Sequence, residues 1–391
     1  VVGVATADGR LSVGDTEFNN KPVDMDLTVL LGKPPKMTRD VRRLVREGQV
    51  FDAAGIDIRE ALYRVLRLPT VADKTFLISI GDRTVGGMTA RDQMVGPWQV
   101  PVADVAVTLM GFNTTRGEAM AMGERSPLAV LDAPASGRMA IGEAITNMLA
   151  APITLSRVKL SCNWMAACGE PGEDANLYAT VKAVAMELCP ALGIGVPVGK
   201  DSLSMRTRWR DAGRDLQVTS PVSLIVTAFA TLDDVRASAT PQLQPGDTML
   251  ALIDLGAGKK RLGGSILAQV IDQFGHAVPD LDEPAQLKAL VAAINELRSA
   301  TLLLAYHDRS DGGLWGAVCE MAFAGQMGVS LNVDMLVTEG DGISDSRADH
   351  GDSKNWATQV GARRNDLTLR ALFNEELGVV IQVPSQAREA V

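Results

Sequence analysis

Oxygen-bearing side chains dominate the candidate chemistry. Glu143 and Asn147 stand four apart in a stretch with helical spacing, so their side chains share one face and could share a metal ion. Asp104, in an apolar run that reads as a strand, and Asp308, in a polar turn, could supply further oxygens. A hard cation such as Mg2+ takes carboxylate and amide oxygens together with nucleotide phosphates. On spacing alone, an i, i+4 Glu/Asn pair is more often a solvated helix face. The segment HDRSDGG from His307 follows a strand and precedes a helix, where ligands commonly gather in α/β folds. The competing reading makes Asp308 or Asp311 a plain helix cap.

A second candidate is the glycine-rich run GIGVPVGKD from Gly193. It has neither P-loop spacing nor the dinucleotide fingerprint. Its glycines would still let backbone NH groups approach an anion, with Gly199, Lys200 and Ser202 as possible phosphate contacts; a simple β-turn at a strand end fits equally. Cys162 lacks the flanking glycines of a nucleophile elbow and reads as a buried thiol. The four cysteines show no C-x-x-C spacing, which favours reduced thiols over zinc or disulfides. The three histidines, His276, His307 and His350, are far apart and offer no metal-binding pair of their own.

The elements that must position these groups follow from periodicity and breakers. Asp57 caps a short amphipathic helix over residues 61–68, stopped by Pro69. Strands are expected over 75–80, 102–109, 155–160, 222–232, 248–255, 302–306 and 378–383. Helices are expected over 138–150, capped by Ser136, and over 174–188, 265–273, 284–297 and 314–324. Residues 338–366 lack pattern and read as a long loop with room for one helix. The turn-rich stretch 233–246 marks a domain boundary.

With 391 residues, the chain is long enough for two or three domains. A formal charge of −9 argues against a general phosphate-backbone binder, so no nucleic acid is expected as partner. No apolar run reaches the ~18 residues of a membrane span, and the first residues lack the pattern of a signal peptide, so a cytoplasmic protein without membrane attachment is expected.

Several long segments resemble the large, single-chain form of phosphoribosylformylglycinamidine (FGAM) synthase. They are GDRTVGGMTARDQMVGPWQVPVADVAV from Gly81, SGRMAIGEAITNML from Ser136, LSCNWMAACGEPGEDANLY from Leu160, GVPVGKDSLSM from Gly195, LGGSILAQV from Leu262, HDRSDGGL from His307 and FNEELGVVIQV from Phe373. The resemblance implies an α/β (α+β) fold with A and B domains like those of aminoimidazole ribonucleotide (AIR) synthetase. It makes residues 1–69 the tail of a preceding B domain plus linker, 70–240 an A domain and 245–391 a shortened B domain. The chain then looks like the second synthetase half, and its partners would be small-molecule nucleotides together with the first half and the glutaminase domain that it lacks.

The activity implied is an ATP-dependent amidoligase of purine biosynthesis, with glutamine as nitrogen donor. By resemblance Asp104, Glu143, Asn147 and Asp308 are metal ligands, Ala103 and Ser310 touch the nucleotide, and Lys74 contacts phosphate. The cofactors implied are Mg2+ and ATP or ADP. Residues 75–79 are apolar where the first half presents its catalytic histidine, which points to an auxiliary nucleotide site. The alternatives are a non-catalytic nucleotide-binding structural module and another ATP-using enzyme of the same superfamily.

Overall fold

The computed structural model describes residues 2–32, 38–81, 83–333, 336 and 364–391. Residues 1–41 cluster as a unit of their own, in which strands β1 (Arg10–Asp15) and β2 (Asn20–Asp26) form an antiparallel hairpin followed by the short helix α1 (Leu27–Leu31). Residues 42–391 form the second unit.

This second unit begins with α2 (Ile58–Arg67), α3 (Thr75–Ser79), β3 (Thr89–Arg91), β4 (Ala106–Leu109), β5 (Gly117–Glu124) and α4 (Ala133–Met148). There follow β6 (Lys159–Met165), α5 (Glu173–Val181), which runs through a π-helical stretch into α6 (Cys189–Leu192), β7 (Gly195–Ser202), the hairpin β8 (Arg206–Asp211) and β9 (Arg214–Thr219), and β10 (Ser223–Leu232). The last elements are β11 (Thr248–Asp254), α7 (Ile266–Val270), α8 (Pro284–Ser299), β12 (Ala305–Asp308), α9 (Gly313–Gly325), a helical stretch at 364–373, and β13 (Gly378–Pro384). Six strands pair in the order β3-β4-β5-β10-β6-β7, and three in the order β11-β13-β12.

Along β5 buried and exposed residues alternate strictly, as a strand covered on one face requires. The covering element is α4, whose residues Met139, Ile141, Ile145 and Met148 are fully buried in one core with Val226 of β10 and with Val379, Ile381 and Val383 of β13. One helix therefore packs between the two sheets. Its approach to β5 depends on Gly123, because a Cβ there would lie 2.2 Å from the Ala140 carbonyl oxygen and 2.4 Å from the Ala144 nitrogen. Residues 51–71, which the resemblance assigns as far as 69 to a preceding tail plus linker, are held by a second apolar cluster in which Phe51, Ala61 and Val65 pack with Leu267, Leu369 and Phe373.

Local hydrogen bonding moves several elements from where periodicity puts them. Residues 75–80 are helical rather than extended, because Asp73 accepts from both the Thr75 amide (3.0 Å) and hydroxyl (2.6 Å) and starts a turn. The helix expected from 138 begins at Ala133, and its cap is Asp132, which accepts from Ala135 N at 3.0 Å; Ser136 instead donates to the Arg125 carbonyl at 2.7 Å. The strand expected over 102–109 starts only at Ala106, so Asp104 sits in the preceding turn. Residues Leu155–Arg157 form a 3-10 turn, and the strand follows it. β12 runs to Asp308, which is thus a strand residue and not a turn residue. Cys162 is a buried thiol as expected, and burial pushes it up to about 12. The patternless stretch 338–366 lies outside the described residues except for its last three, which are helical.

Replacing Gly123 by Ala is expected to drive α4 off β5 and cost about 1–3 kcal/mol or more. Urea unfolding with an unchanged midpoint would show that the contact is not tight.

Candidate functional site

Asp104, from the turn before β4, lies against the end of β12 and joins the two sheets. Its Oδ1 accepts from His307 Nδ1 at 2.7 Å and from the Asp308 backbone amide at 3.0 Å. The other ring nitrogen of His307, Nε2, contacts Glu320 Oε2 of α9 at 2.6 Å. Asp104, His307 and Asp308 each offer a donor atom within 4.8 Å of the others. Both carboxylates are buried, with side chains 0% and 5% exposed, yet Asp104 Oδ2 and Asp308 Oδ2 have no hydrogen-bond partner among the described residues. A bare, buried carboxylate oxygen is costly unless a cation, a donor or its own proton meets it.

Glu143 on α4 lies near enough to feel the charge of Asp308, though it is not one of the three close donors. Its Oε2 accepts from the Glu124 amide at 2.6 Å and its Oε1 lies 4.0 Å from the Arg125 guanidinium. With a side chain only 13% exposed, it is not part of a solvated helix face. Asn147, one turn further, donates from Nδ2 to the Met122 carbonyl at 3.0 Å, which leaves its amide oxygen for another donor or ion. Arg125, itself buried, forms ion pairs with Asp311 at 2.9 Å and with Glu375 at 2.5 Å. Glu375 in turn accepts from the amides of Ile266 (2.8 Å) and Gly312 (3.0 Å). A cleft of about 110 Å3 opens beside Arg125, Glu124, Asp311 and Gln269, with room for a phosphate group or a few waters. A larger cavity of about 650 Å3 faces the opposite side of the three-stranded sheet, and none of its described lining residues is charged.

The turn between β12 and α9 is fixed by backbone. Gly312 and Gly313 have φ of 85° and 64°, and a Cβ on Gly313 would lie 2.6 Å from the Asn374 carbonyl oxygen. Helix α9 has no side-chain cap, so neither Asp308 nor Asp311 is the plain cap that the sequence allowed. Ser310 and Ala103 each adjoin a carboxylate of the cluster in sequence, and both are half-buried. Lys74 bonds the Ala72 carbonyl at 2.8 Å, and its charge is felt at Asp311. Gly199, Lys200 and Ser202 lie elsewhere. They form part of the edge strand β7, four strands from β4 or roughly 19 Å at the usual sheet spacing, so the expected turn is extended strand and they do not join this cluster.

Crowded carboxylates in a dry site shift one another. Burial, reinforced by the charge of Asp104, pushes Asp308 up to about 8. Burial likewise raises Glu143 well above the carboxylate range, against the pull of Arg125. Burial alone would lower His307, but contacts with Asp104 and Glu320 outweigh it and hold the ring protonated well above its ordinary value. His307, Glu320, Arg125 and Glu375 were not singled out from the sequence because their pairings are set by the fold; HDRSDGG carried His307 and FNEELGVVIQV carried Glu375, and no quoted motif held Arg125 or Glu320.

Against this geometry, two family models match the chain: the FGAR-AT PurM_N-like domain over residues 73–231, and the C-terminal domain of AIR synthase related proteins over residues 244–391. Among solved structures, Thermotoga maritima PurL complexed with FGAR is similar, with a TM-score of 0.51 and 12% identity over 86% of this chain and 46% of that one. T. maritima PurL complexed with AMPPCP gives a TM-score of 0.49 at 15% identity, covering 94% of this chain and 45% of that one. E. coli HypE, a hydrogenase maturation protein, gives 0.41 at 15% identity, covering 85% and 83%. The chain has the α+β fold of the AIR synthase-like superfamily, with an N-terminal-type domain followed by a C-terminal-type domain. It spans less than half the length of the PurL chains it matches.

The raised groups fix a pH dependence. Asp308 and Glu143 bind protons more tightly folded than unfolded, so their contribution is complete below about pH 4 and is lost as pH rises, for Asp308 through about 8. His307 acts in the same direction, its contribution being lost above its raised folded value. In EDTA the melting temperature should therefore fall between pH 6 and pH 8.5, and Mg2+ should restore part of the loss at the higher pH. A melting temperature that climbs over this range would contradict the crowding.

Proposed function

We propose that the chain is the second synthetase half of an FGAM synthase-type, ATP-dependent amidoligase of purine biosynthesis, and that it binds a Mg-nucleotide. The reading is carried by the two buried carboxylate oxygens of Asp104 and Asp308 that lack partners, in a fold whose family models include an FGAR-AT domain. Hard oxygen donors suit Mg2+; Asp104 and Asp308 would hold such an ion, and Glu143 and the Asn147 amide oxygen are proposed to complete its shell. The ion would neutralise polyphosphate charge when bound. Ala103 and Ser310 would flank the nucleotide, and Lys74 with Arg125 would face its phosphates. The complete enzyme would phosphorylate the amide oxygen of formylglycinamide ribonucleotide, and ammonia from glutamine would then displace the phosphate. The protein is assigned to the cytoplasm on the same reading; among the described residues no helix is long and apolar enough to cross a membrane.

Within that enzyme the site is assigned an auxiliary, structural role. Residues Thr75–Ser79 form an apolar helix without a histidine, so the half carries no proton-transfer group at that place. A nucleotide that stays bound would stabilise the fold by mass action, by about 2.7 kcal/mol at a hundredfold excess over Kd. Mass spectrometry of the denatured protein should release ADP or ATP, and Glu143→Ala should abolish retention while the chain stays folded. Retention undiminished in that variant would remove Glu143 from the site.

The uncovered face of the six-stranded sheet supports the partner. Met120 and Met122 of β5 and Phe229 of β10, the cross-strand partner of Met120, are 37%, 57% and 39% exposed. An apolar sheet face of this kind is ordinarily covered, and the first synthetase half is proposed to cover it. Alone, the chain should self-associate through this face; light scattering that gives a monodisperse monomer would contradict it.

A further inference from the structure

We propose that His307 and Glu320 form a positioning pair that aims Asp104 at the bound cation; this rests on the metal reading above. Both nitrogens of the His307 ring are committed, Nδ1 to Asp104 Oδ1 at 2.7 Å and Nε2 to Glu320 Oε2 at 2.6 Å. The ring is therefore not a ligand. It is a strut between α9, which carries Glu320, and the turn that carries Asp104.

The strut explains which oxygen stays bare. Asp104 Oδ1 takes two hydrogen bonds, from the His307 ring and from the Asp308 amide, while Oδ2, also buried, takes none among the described residues, as is true of Asp308 Oδ2. Rotating the carboxylate would break both bonds inside a dry site, where an unmade bond to a charged group is expensive. Asp104 is thus locked with one oxygen spent and the other presented. Glu320 fixes the far side of the ring, and its side chain is 29% exposed, so the strut reaches from the dry site to the protein surface. Hydrogen bonds to ligating carboxylates and histidines tune metal sites, and their loss typically weakens metal affinity by about 10–100-fold.

Positioning and simple charge balance predict opposite signs. If the ring served only to offset negative charge, a neutral replacement would tighten cation binding; if it aims Asp104, the replacement loosens it. An asparagine amide sits near the place of Nδ1 and a glutamine amide near that of Nε2, so the two variants separate the two contacts.

Mn2+ binding to the full chain, read by electron paramagnetic resonance, tests this, with the melting temperature as a check on folding. Expected are a loss of about 10–100-fold in Mn2+ affinity for His307→Gln, and smaller losses of similar size for His307→Asn and Glu320→Ala, each of which keeps a donor at Asp104 and removes only the Glu320 contact. His307→Gln that binds as tightly as wild type, or tighter, overturns the positioning role while leaving the metal site standing. Wild type that binds no Mn2+, with Asp308→Asn indistinguishable from it, sinks the metal reading and the strut with it. Should His307→Gln not fold, Glu320→Ala decides alone, and unchanged affinity there overturns the proposal.

Discussion

One carboxylate ties the candidate site together. Asp104 Oδ1 accepts from a side chain and a backbone amide at the end of β12, and so closes the seam between a turn of the six-stranded sheet and the three-stranded sheet. In water such an oxygen would be one of many solvated anions. Here its side chain is buried, so each bond carries more electrostatic weight and each missing bond costs more. The partnerless oxygens of Asp104 and Asp308 are the consequence. The seam that joins the sheets crowds two carboxyl groups into a buried place.

The surrounding structure holds that arrangement against its own repulsion. Helix α4 brings Glu143 within range of the Asp308 charge because Gly123 lets its backbone settle on β5, and Arg125, just after β5, ties Asp311 and Glu375 together. Glu375 also takes the first free amide of α9 and one from α7, so the buried arginine is braced by two helices. The acids Asp104, Glu143, Asp308, Asp311, Glu320 and Glu375 outnumber Arg125 and His307 around them, and burial answers the crowding by raising Asp308 and Glu143 so that they hold protons more tightly than free carboxyl groups.

Much of the α/β pattern was legible in the sequence. β10, β11, α8, α9 and β13 lie close to where apolar runs and helical spacing place them, because their burial is set by sheet and helix periodicity along the chain itself. The reading failed where a side-chain hydrogen bond overrode propensity. Asp73 turned an apolar, β-like run into α3, and Asp132 displaced Ser136 as the cap of α4 because the Ser136 hydroxyl was spent on the Arg125 carbonyl. Glu143 looked like a surface residue from its spacing, and only packing against β5 buries it.

The sequence by itself determined the composition of the site: which oxygens are available, that Glu143 and Asn147 share a helix face, and that a glycine pair follows Asp308 and Asp311. It could not decide that Asp104 meets a histidine about two hundred positions away, that both nitrogens of that ring are taken, or that Lys200 stands on a distant sheet edge. Those outcomes depend on how two sheets pack around one helix. Contacts between residues so far apart are chosen by the burial of many side chains at once, and no local pattern encodes them.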